Sequence, residues 1–290
     1  SRMKTADLST GKEVAIFEEL QENLKASGVE FINDFMALDL QMEEPSLDDT
    51  MPDIERLEWA VKAQVEAEFV KVPFAVMSRL ASTLRENNFH VCLKGRYTGD
   101  TFHCMEICAP ADNQLLGCAI DIGTTTVSMV IVDMTSGKIL AKGSSGNGQI
   151  RYGADVINRI IEQSRQGGKK KLQDAIVKET LVPIMANLCK SIGANARSIV
   201  QLCIGSNTTM NHLLLGVDAD PVRMEPYIPS FFGWEGLLAG DLKLPANPLA
   251  PVVIAPNIGS YVGGDITAGT LAAGFWDKDE MSLFIDLGTN

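Results

Sequence analysis

Two short stretches of the chain repeat an aspartate, a glycine and a threonine in the same order. Residues 121–126 read DIGTTT, and residues 286–290 read DLGTN, 165 residues further on. Glycine lets the backbone approach an anion closely, and successive N–H groups together with threonine hydroxyls can bind phosphate oxygens. A carboxylate repels phosphate, so Asp121 and Asp286 suit a site where Mg²⁺ bridges carboxylate and phosphate through its water shell. The repeat therefore predicts a phosphate site rather than an ordinary polar turn.

In this site we predict Asp121 and Asp286 as the catalytic residues, because they would hold Mg²⁺ through water. The following residues are predicted to contact phosphate: Gly123, Thr124, Thr125, Gly288, Thr289 and Asn290.

We call residues 121–126 the first tip and residues 286–290 the second tip. Both tips follow apolar runs, 116–120 and 282–285, which are typical of buried strands. A second apolar run at 127–132, a turn at 135–138 and a third run from Ile139 predict a three-stranded meander around the first tip. A long-period repeat of this unit suggests two related lobes that face one ligand.

Three further groups are candidates for the cleft between such lobes: Asn207 and Thr208; Gly263, Gly264 and Asp265; Arg151, Tyr152 and Asp155. The first group follows a predicted buried strand, where loops of α/β sheets face ligands. The second opens a predicted helix and is either an anion site or a plain helix cap. In the third, Arg151 could neutralise phosphate, whereas Asp155 could orient a water or, as we favour, cap a helix.

The six cysteines show no plant-type C-x4-C-x2-C run, so we expect no iron–sulfur cluster in residues 1–112. Alternation along the predicted strand places Cys104 and Cys108 on one face, which favours a thiol-lined core. A metal site that adds His90, Cys92 and His103 is the alternative. His212, on a short apolar helix, is predicted to be packed in the interior.

The composition and the charge of the chain argue against a nucleic-acid-binding or membrane-spanning protein. Of 290 residues, 46% are hydrophobic and the formal net charge is −12. Residues 1–112 carry 21 acidic and 11 basic side chains, against 16 and 14 in residues 113–290, so the acidity is concentrated in the first part. This charge argues against nucleic-acid binding. No run of eighteen apolar residues predicts a membrane span, and scattered cysteines fit a reducing cytoplasm.

The chain divides into four predicted parts. Residues 1–44 form a linker with a helical segment that begins at a capping box at Thr10, and 45–112 form a small α/β domain. Residues 113–281 form a first lobe with a mixed five-stranded sheet whose first three strands are antiparallel. Residues 282–290 start a second lobe.

The two tips together resemble the actin, sugar-kinase and heat-shock-chaperone (ASKHA) ATPase superfamily. The resemblance implies a ribonuclease H-like α/β lobe, preceded by the small α/β middle domain, with two tips that grip Mg-ATP. Four stretches are more specific: DIGTTT at 121–126, QIRYGADVINRI at 149–160, GSNTTMNHLLLG at 205–216 and DLGTN at 286–290. They are similar to the ATP-dependent reductive activators of corrinoid proteins, over about residues 45–290.

This resemblance implies a function for the whole protein. Such an activator binds a corrinoid protein of a methyltransferase system and reduces its cobalt(II) to cobalt(I) at the expense of ATP. It implies ATP, Mg²⁺ and an electron donor, with an iron–sulfur cluster in the full-length protein but not in this chain. The chain is expected to lack most of the second lobe and to be inactive alone; its oligomeric state is open, with a homodimer as one alternative. A small-molecule kinase of the same superfamily and a nucleotide-gated, non-enzymatic scaffold remain alternatives.

Overall fold

The computed structural model describes residues 4–6, 22, 25, 26, 28, 33–274 and 279–286. It confirms an α/β fold with two sheets: one belongs to the predicted small domain and the other to the predicted first lobe. The predicted helix after Thr10 falls almost wholly outside the described residues, although Glu22, Lys25 and Ala26 are helical. The first strand, β1 (Lys4–Ala6), joins the larger sheet.

Four strands and two helices form the small domain. Its elements are β2 (Phe35–Gln41), α1 (Asp53–Gln64), β3 (Phe69–Lys71), α2 (Phe74–Glu86), β4 (His90–Thr98) and β5 (Thr101–Cys108). The strand order is β2-β4-β5-β3. The predicted start at residue 45 was wrong, because β2 pairs with the whole of β4 and belongs to this sheet. From the sequence alone β2 belonged to a mixed region, because the residues that pair with it lie between 49 (Gln41 with His90) and 61 (Phe35 with Arg96) positions later.

The helices α1 and α2 bury their apolar sides against this sheet. Leu57 and Val61 of α1 and Leu80 and Leu84 of α2 are all 1% exposed or less, and they pack in one core with strand residues that include Cys104. A shift of register between Lys94 and Gly95 interrupts the β4–β5 ladder and leaves one extra residue in β5.

This irregularity corrects the expectation that Cys104 and Cys108 share a face. Alternation of side chains holds only along a regular strand, and an extra residue reverses it. Cys104 accordingly lies in the core of the small domain, whereas Cys108 lies opposite Cys92, and neither of these two belongs to that core. The thiol-lined core predicted from the sequence is therefore reduced to Cys104.

The first lobe follows after a short 3₁₀ turn at Pro110–Asp112. Its strands are β6 (Leu116–Ile122), β7 (Thr126–Asp133), β8 (Ile139–Gly146), β9 (Ile199–Ser206) and β10 (Val252–Ile254). Its helices are α3 (Val156–Gln163), α4 (Gly168–Ile176), α5 (Val182–Ser191), α6 (Thr208–Leu215), α7 (Asp220–Arg223) and α8 (Gly264–Ala273).

The sheet of this lobe has the order β1-β8-β7-β6-β9-β10. The meander β6-β7-β8 is antiparallel, and β9 and β10 add in parallel, which confirms the predicted five strands; β1 is a sixth. Apolar residues of β6, β7 and β9 pack with α4, α5 and α6 in one buried core. The carboxyl ends of β6 and β9 thereby lie side by side, where α/β sheets place ligand sites.

A buried carboxylate joins the small domain to the lobe. Glu106 of β5 is 4% exposed and accepts hydrogen bonds from Arg197 Nε (2.8 Å) and Asn247 Nδ2 (3.1 Å) of the lobe, and from Arg79 of α2. Beside it, the buried Lys94 donates to Ser198 Oγ at 2.9 Å. These contacts fix the small domain against the lobe through charged groups, so their loss should be measurable.

We expect Glu106→Gln to lower the free energy of unfolding by about 2 kcal/mol, because an amide gives up a charge-assisted acceptor and places N–H donors near two guanidinium groups. Urea denaturation followed by circular dichroism measures the change. The matched control is Glu66→Gln, an exposed position whose side chain should matter by less than about 0.5 kcal/mol. Equal effects of the two substitutions would contradict the role of Glu106.

No helix of the described residues is both long and apolar enough to span a membrane.

Candidate functional site

The predicted tip 121–126 is a tight turn between β6 and β7. Asp121 lies one residue before the end of β6, opposite Gly205 of the parallel strand β9. The N–H of Gly123 donates to the carbonyl of Thr126 at 3.0 Å, and a Cβ on Gly123 would come within 2.7 Å of that same oxygen. The turn therefore requires glycine at position 123, as expected for a backbone that curls tightly.

Three hydrogen bonds hold the tip from behind. The side chain of Asn147 donates through Nδ2 to the carbonyl of Gly123 (2.9 Å), and the backbone N–H of Asn147 donates to the carbonyl of Thr125 (2.8 Å). Arg159 donates through Nη2 to the carbonyl of Thr124 (2.6 Å). In a trans peptide the C=O and the next N–H point in opposite directions. Fixing these carbonyls therefore turns the N–H groups that follow them away from Asn147 and Arg159, which is the orientation that an anion site at the tip needs.

Arg159 of α3 is the main residue that we did not predict. It is fully buried and also donates through Nε to the carbonyl of Gly153 (2.9 Å), while Nη1 contacts the sulfur of Met210 (3.3 Å). Desolvation lowers its pKa to about 10, partly offset by Asp155, so the guanidinium remains charged at neutral pH. A signal was present in the sequence: Arg159 adjoins Ile160 on the buried side of an amphipathic helix, where a charge needs partners.

Three carboxylates lie near enough to influence one another electrostatically: Asp121, Asp265 of α8 and Asp286. Asp121 is accessible to solvent, but the surrounding protein displaces part of its hydration, and this desolvation raises its pKa, with further increases from Asp265 and Asp286. Desolvation also raises the pKa of Asp265, and the charge of Asp286 adds to this effect. The two residues predicted to hold magnesium therefore lie near each other, with Asp265 as a third acidic neighbour.

The spacing of these carboxylates bears on how a cation could be held. Among the described residues, no three His, Cys, Asp or Glu side chains are grouped closely enough to hold a metal ion directly. The negative charges of these carboxylates nevertheless repel one another, and a cation between them would neutralise this repulsion. Mg²⁺ keeps several waters of its own, so the arrangement fits an ion held through water rather than one ligated directly.

Asn207 reaches the tip and Thr208 does not. The side chain of Asn207 donates to Thr124 Oγ1 at 3.3 Å, and its Oδ1 accepts from the N–H of Met210 (2.9 Å), which caps α6. Thr208 is fully buried, and its hydroxyl donates to the carbonyl of Gly259 at 2.7 Å. Of this predicted pair, only Asn207 lies where it could contact a bound group.

A buried polar network positions the start of α8. Asn257 Oδ1 accepts from the N–H of Gly264 (3.0 Å) and from Asn211 Nδ2 (3.0 Å), and the hydroxyl of Ser206 donates to Asn211. A Cβ on Gly263 would come within 2.4 Å of the Cα of Asn207, so glycine allows α8 to pack directly against the loop after β9. Asn257 thus takes up one N–H at the start of α8, which leaves both alternatives at 263–265 open, and Asp265 lies near the other carboxylates.

The third predicted group, Arg151, Tyr152 and Asp155, makes local contacts within the lobe. Asp155 Oδ1 accepts from the N–H of Asn158 at 2.8 Å and caps α3, as favoured from the sequence. Arg151 forms an ion pair with Glu179 and stacks over the ring of Tyr152, 4.7 Å from its centroid. The structure therefore gives Arg151 and Tyr152 contacts within the lobe rather than at the tip.

The second tip is only partly described. Gly288, Thr289 and Asn290 lie outside the described residues, so their phosphate contacts stay predictions. The predicted strand before Asp286 was wrong, since residues 281–286 form no strand. A strand needs a hydrogen-bonded neighbour; here Phe284 instead packs against Gly269 of α8, where a Cβ would lie 2.7 Å from its ring.

His212 is packed in the interior, as predicted. It is fully buried, stacks on Phe231 with ring centroids 4.6 Å apart, and lies 2.7 Å from the carbonyl of Thr208 through Nδ1, while Nε2 accepts from the N–H of Ser230. This pattern requires the neutral ring protonated on Nδ1. Burial lowers its pKa below the ordinary value.

Below about pH 6.5 we therefore expect His212 to bind a proton more readily in the unfolded chain than in the folded one, so that the free energy of unfolding falls as the pH is lowered. The stability that the neutral His212 contributes is present in full above its unfolded pKa and is lost on acidification. The free energy of unfolding, measured by urea titration at several pH values from neutral to mildly acidic, should fall less steeply with pH in His212→Gln than in the wild type. The same dependence of stability on pH in His212→Gln as in the wild type would contradict this assignment.

Comparison with known proteins agrees with this architecture. Residues 116–278 match the model of the RACo middle region, and residues 19–97 match that of the RACo linker region. The corrinoid activation enzyme RamQ of Eubacterium limosum is 36% identical over 181 residues, which cover 62% of this chain and 30% of RamQ. A solved structure titled reductive activator for corrinoid, iron-sulfur protein superposes with a TM-score of 0.73 at 35% identity over 92% of this chain and 44% of that one. The chain thus spans less than half the length of these relatives.

Proposed function

Because the chain belongs to the RACo middle-region family, we propose that it forms the middle part of an ATP-dependent reductive activator of a corrinoid protein. In this role the whole protein accepts an electron from a donor and passes it to cobalt(II), which becomes cobalt(I) and so returns a methyltransferase system to its active state. Relatives named for corrinoid activation and for reductive activation support this assignment. The observation that carries it within this chain is the tip 123–125, held from behind by Asn147 and Arg159 and faced by three carboxylates.

ATP with Mg²⁺ is the ligand that this site fits best. Asp121 and Asp286 would hold the ion through water, and Mg²⁺ there would neutralise charge on the phosphates. The backbone amides of the tip, with Thr124 and Thr125, would contact the phosphate oxygens, and the second tip, Gly288, Thr289 and Asn290, would do so from the other side. ATP can favour electron transfer only by binding two conformations of the protein with different affinity.

The remaining expectations concern the whole protein. An iron–sulfur cluster outside this chain would pass the electron, and a corrinoid protein would dock while it is reduced. A cytoplasmic location, inferred from the scattered cysteines, is also a proposal, and a homodimer is one alternative for the oligomeric state.

Cobalt reduction in the presence of ATP tests this function directly. The protein that carries this chain is mixed anaerobically with a cobalt(II) corrinoid protein, a low-potential reductant and Mg-ATP, and the absorbance of cobalt(I) is followed. We expect reduction with ATP and none with a non-hydrolysable analogue. ATP-independent reduction would contradict the proposal, and phosphorylation of a polyol in its place would establish a kinase.

A further inference from the structure

Two cysteines of the small domain lie directly opposite each other on neighbouring strands. Cys92 of β4 and Cys108 of β5 are Cα partners in an antiparallel ladder. Residues opposed in this way have Cα atoms about 4.5–5.5 Å apart, which lies within the range of about 4.4–6.8 Å that disulfides span. The sulfur of Cys108 is 3.6 Å from the carbonyl oxygen of Cys92. The backbone is therefore already arranged for a disulfide.

These two thiols differ from the other cysteines of the domain in position. Cys104 is packed in the apolar core opposite Gly95, and burial raises its pKa to about 12. Cys108 is partly exposed and lines a cavity of about 380 Å³ between the small domain and the first lobe. Lys94, Glu106 and Ser198 line the same cavity. A small polar molecule could therefore reach Cys108, but not Cys104.

Their surroundings also favour thiol chemistry. A hydrogen bond from the thiol of Cys108 lowers the pKa of Cys92, and the nearby ammonium of Lys94 lowers it further against the opposing effect of burial. The same contact raises the pKa of Cys108. Loss of one proton therefore leaves a single thiolate shared by the pair, and thiolate is the reactive form in disulfide exchange.

We propose that Cys92 and Cys108 form a redox-active dithiol that closes to a cross-strand disulfide by exchange with a low-molecular-weight disulfide such as oxidised glutathione. After the shared proton moves to Cys92, the thiolate of Cys108 attacks the small disulfide from the cavity and releases one small thiolate, which takes the proton back from Cys92. The thiolate of Cys92 then displaces the second small thiolate, which takes a proton from water. Two protein thiols are oxidised to one disulfide, and one small disulfide is reduced to two thiols.

Closure would alter the connection between the domains. The sulfur of Cys108 also lies 3.5 Å from the carbonyl oxygen of Asp112, within the 3₁₀ turn that leads to β6, so its single thiol hydrogen can be donated to Asp112 instead of to Cys92. Because a disulfide has no thiol hydrogen, oxidation removes this contact between the small domain and the connection. This inference stands independently of the nucleotide site.

Equilibration in glutathione buffers tests the proposal. The reduced chain is incubated at increasing ratios of oxidised to reduced glutathione, quenched with acid, alkylated and analysed by peptide mapping. We expect a peptide linked through Cys92 and Cys108 in the wild type and in the control Cys104→Ser. In Cys92→Ser, Cys108 should stop at the glutathione adduct, and in Cys108→Ser the buried Cys92 should remain reduced.

The exposed Cys203 serves as an internal monitor, because it should form an adduct but no internal link. The proposal is overturned if both thiols of the wild type remain open to alkylation in excess oxidised glutathione, or if Cys108 accumulates as an adduct while Cys92 is intact. A link from either cysteine to a different partner would overturn it as well. The wild-type map decides these outcomes even if a serine variant folds poorly.

Discussion

Replacement of Asp121 by asparagine is expected to lower ATP-driven cobalt reduction at least about a hundredfold, on the scale measured when one preorganised electrostatic group is removed from an active site. Asparagine has nearly the same shape but no charge with which to hold the water shell of Mg²⁺. The rate of cobalt(I) formation at saturating corrinoid protein, measured in the protein that carries this chain, gives the effect.

The same substitution should leave the fold intact or make it more stable. Partial desolvation and the neighbouring Asp265 and Asp286 raise the pKa of Asp121, so its ionised form opposes folding at neutral pH. This destabilisation is present above the folded-state pKa and disappears on acidification, and Asp121→Asn should remove it at pH 7. A thermal midpoint at or above that of the wild type, together with lost activity, separates a role in the site from a structural one.

Asp48→Asn is the matched control for this experiment, since Asp48 is an exposed aspartate in the loop before α1. It should change neither the activity nor the thermal midpoint. Full activity of Asp121→Asn would show that the magnesium site is wrongly placed. A large drop in the midpoint of Asp121→Asn would instead assign the residue to the stability of β6.

The second large effect is expected for Arg159→Met, which should lower the free energy of unfolding by about 3 kcal/mol. Methionine fills much of the space of the arginine stem but leaves the carbonyls of Thr124 and Gly153 without their buried donor, at about 1–3 kcal/mol for each unpaired group. Urea denaturation of this chain measures the loss. Nucleotide binding should weaken as well, because the carbonyl of Thr124 no longer fixes the orientation of the tip.

Arg165→Met provides the control for charge and side-chain length. Arg165 lies just after the same helix, with its side chain 69% exposed and paired with Glu162. Its substitution should change stability by less than about 0.5 kcal/mol, because the guanidinium is exposed and Glu162 keeps its second ion pair, with Lys171. If both variants lost equal stability, the buried contacts of Arg159 would be without energetic importance.

Local sequence determined the first tip and the meander that carries it. Apolar runs predict β6 and β7, a turn and a third apolar start at Ile139 predict β8, and Gly123 is required by a turn whose geometry excludes a Cβ. Asp155 as a helix cap and His212 as a packed side chain also follow from short-range patterns. These features were predictable because the interactions that decide them join residues that are close in the chain.

Tertiary structure alone decided which distant groups meet at the tip. Asn147 and Arg159 support it from segments that follow the meander, and Asp265 approaches Asp121 only because β9 and α8 pack beside β6. The register shift at Lys94 and Gly95 reversed the expected face of Cys108 and placed it opposite Cys92. No local pattern encodes such placements, because they depend on the pairing of strands far apart in sequence, and a one-residue shift in that pairing moves a side chain to the other face of the sheet.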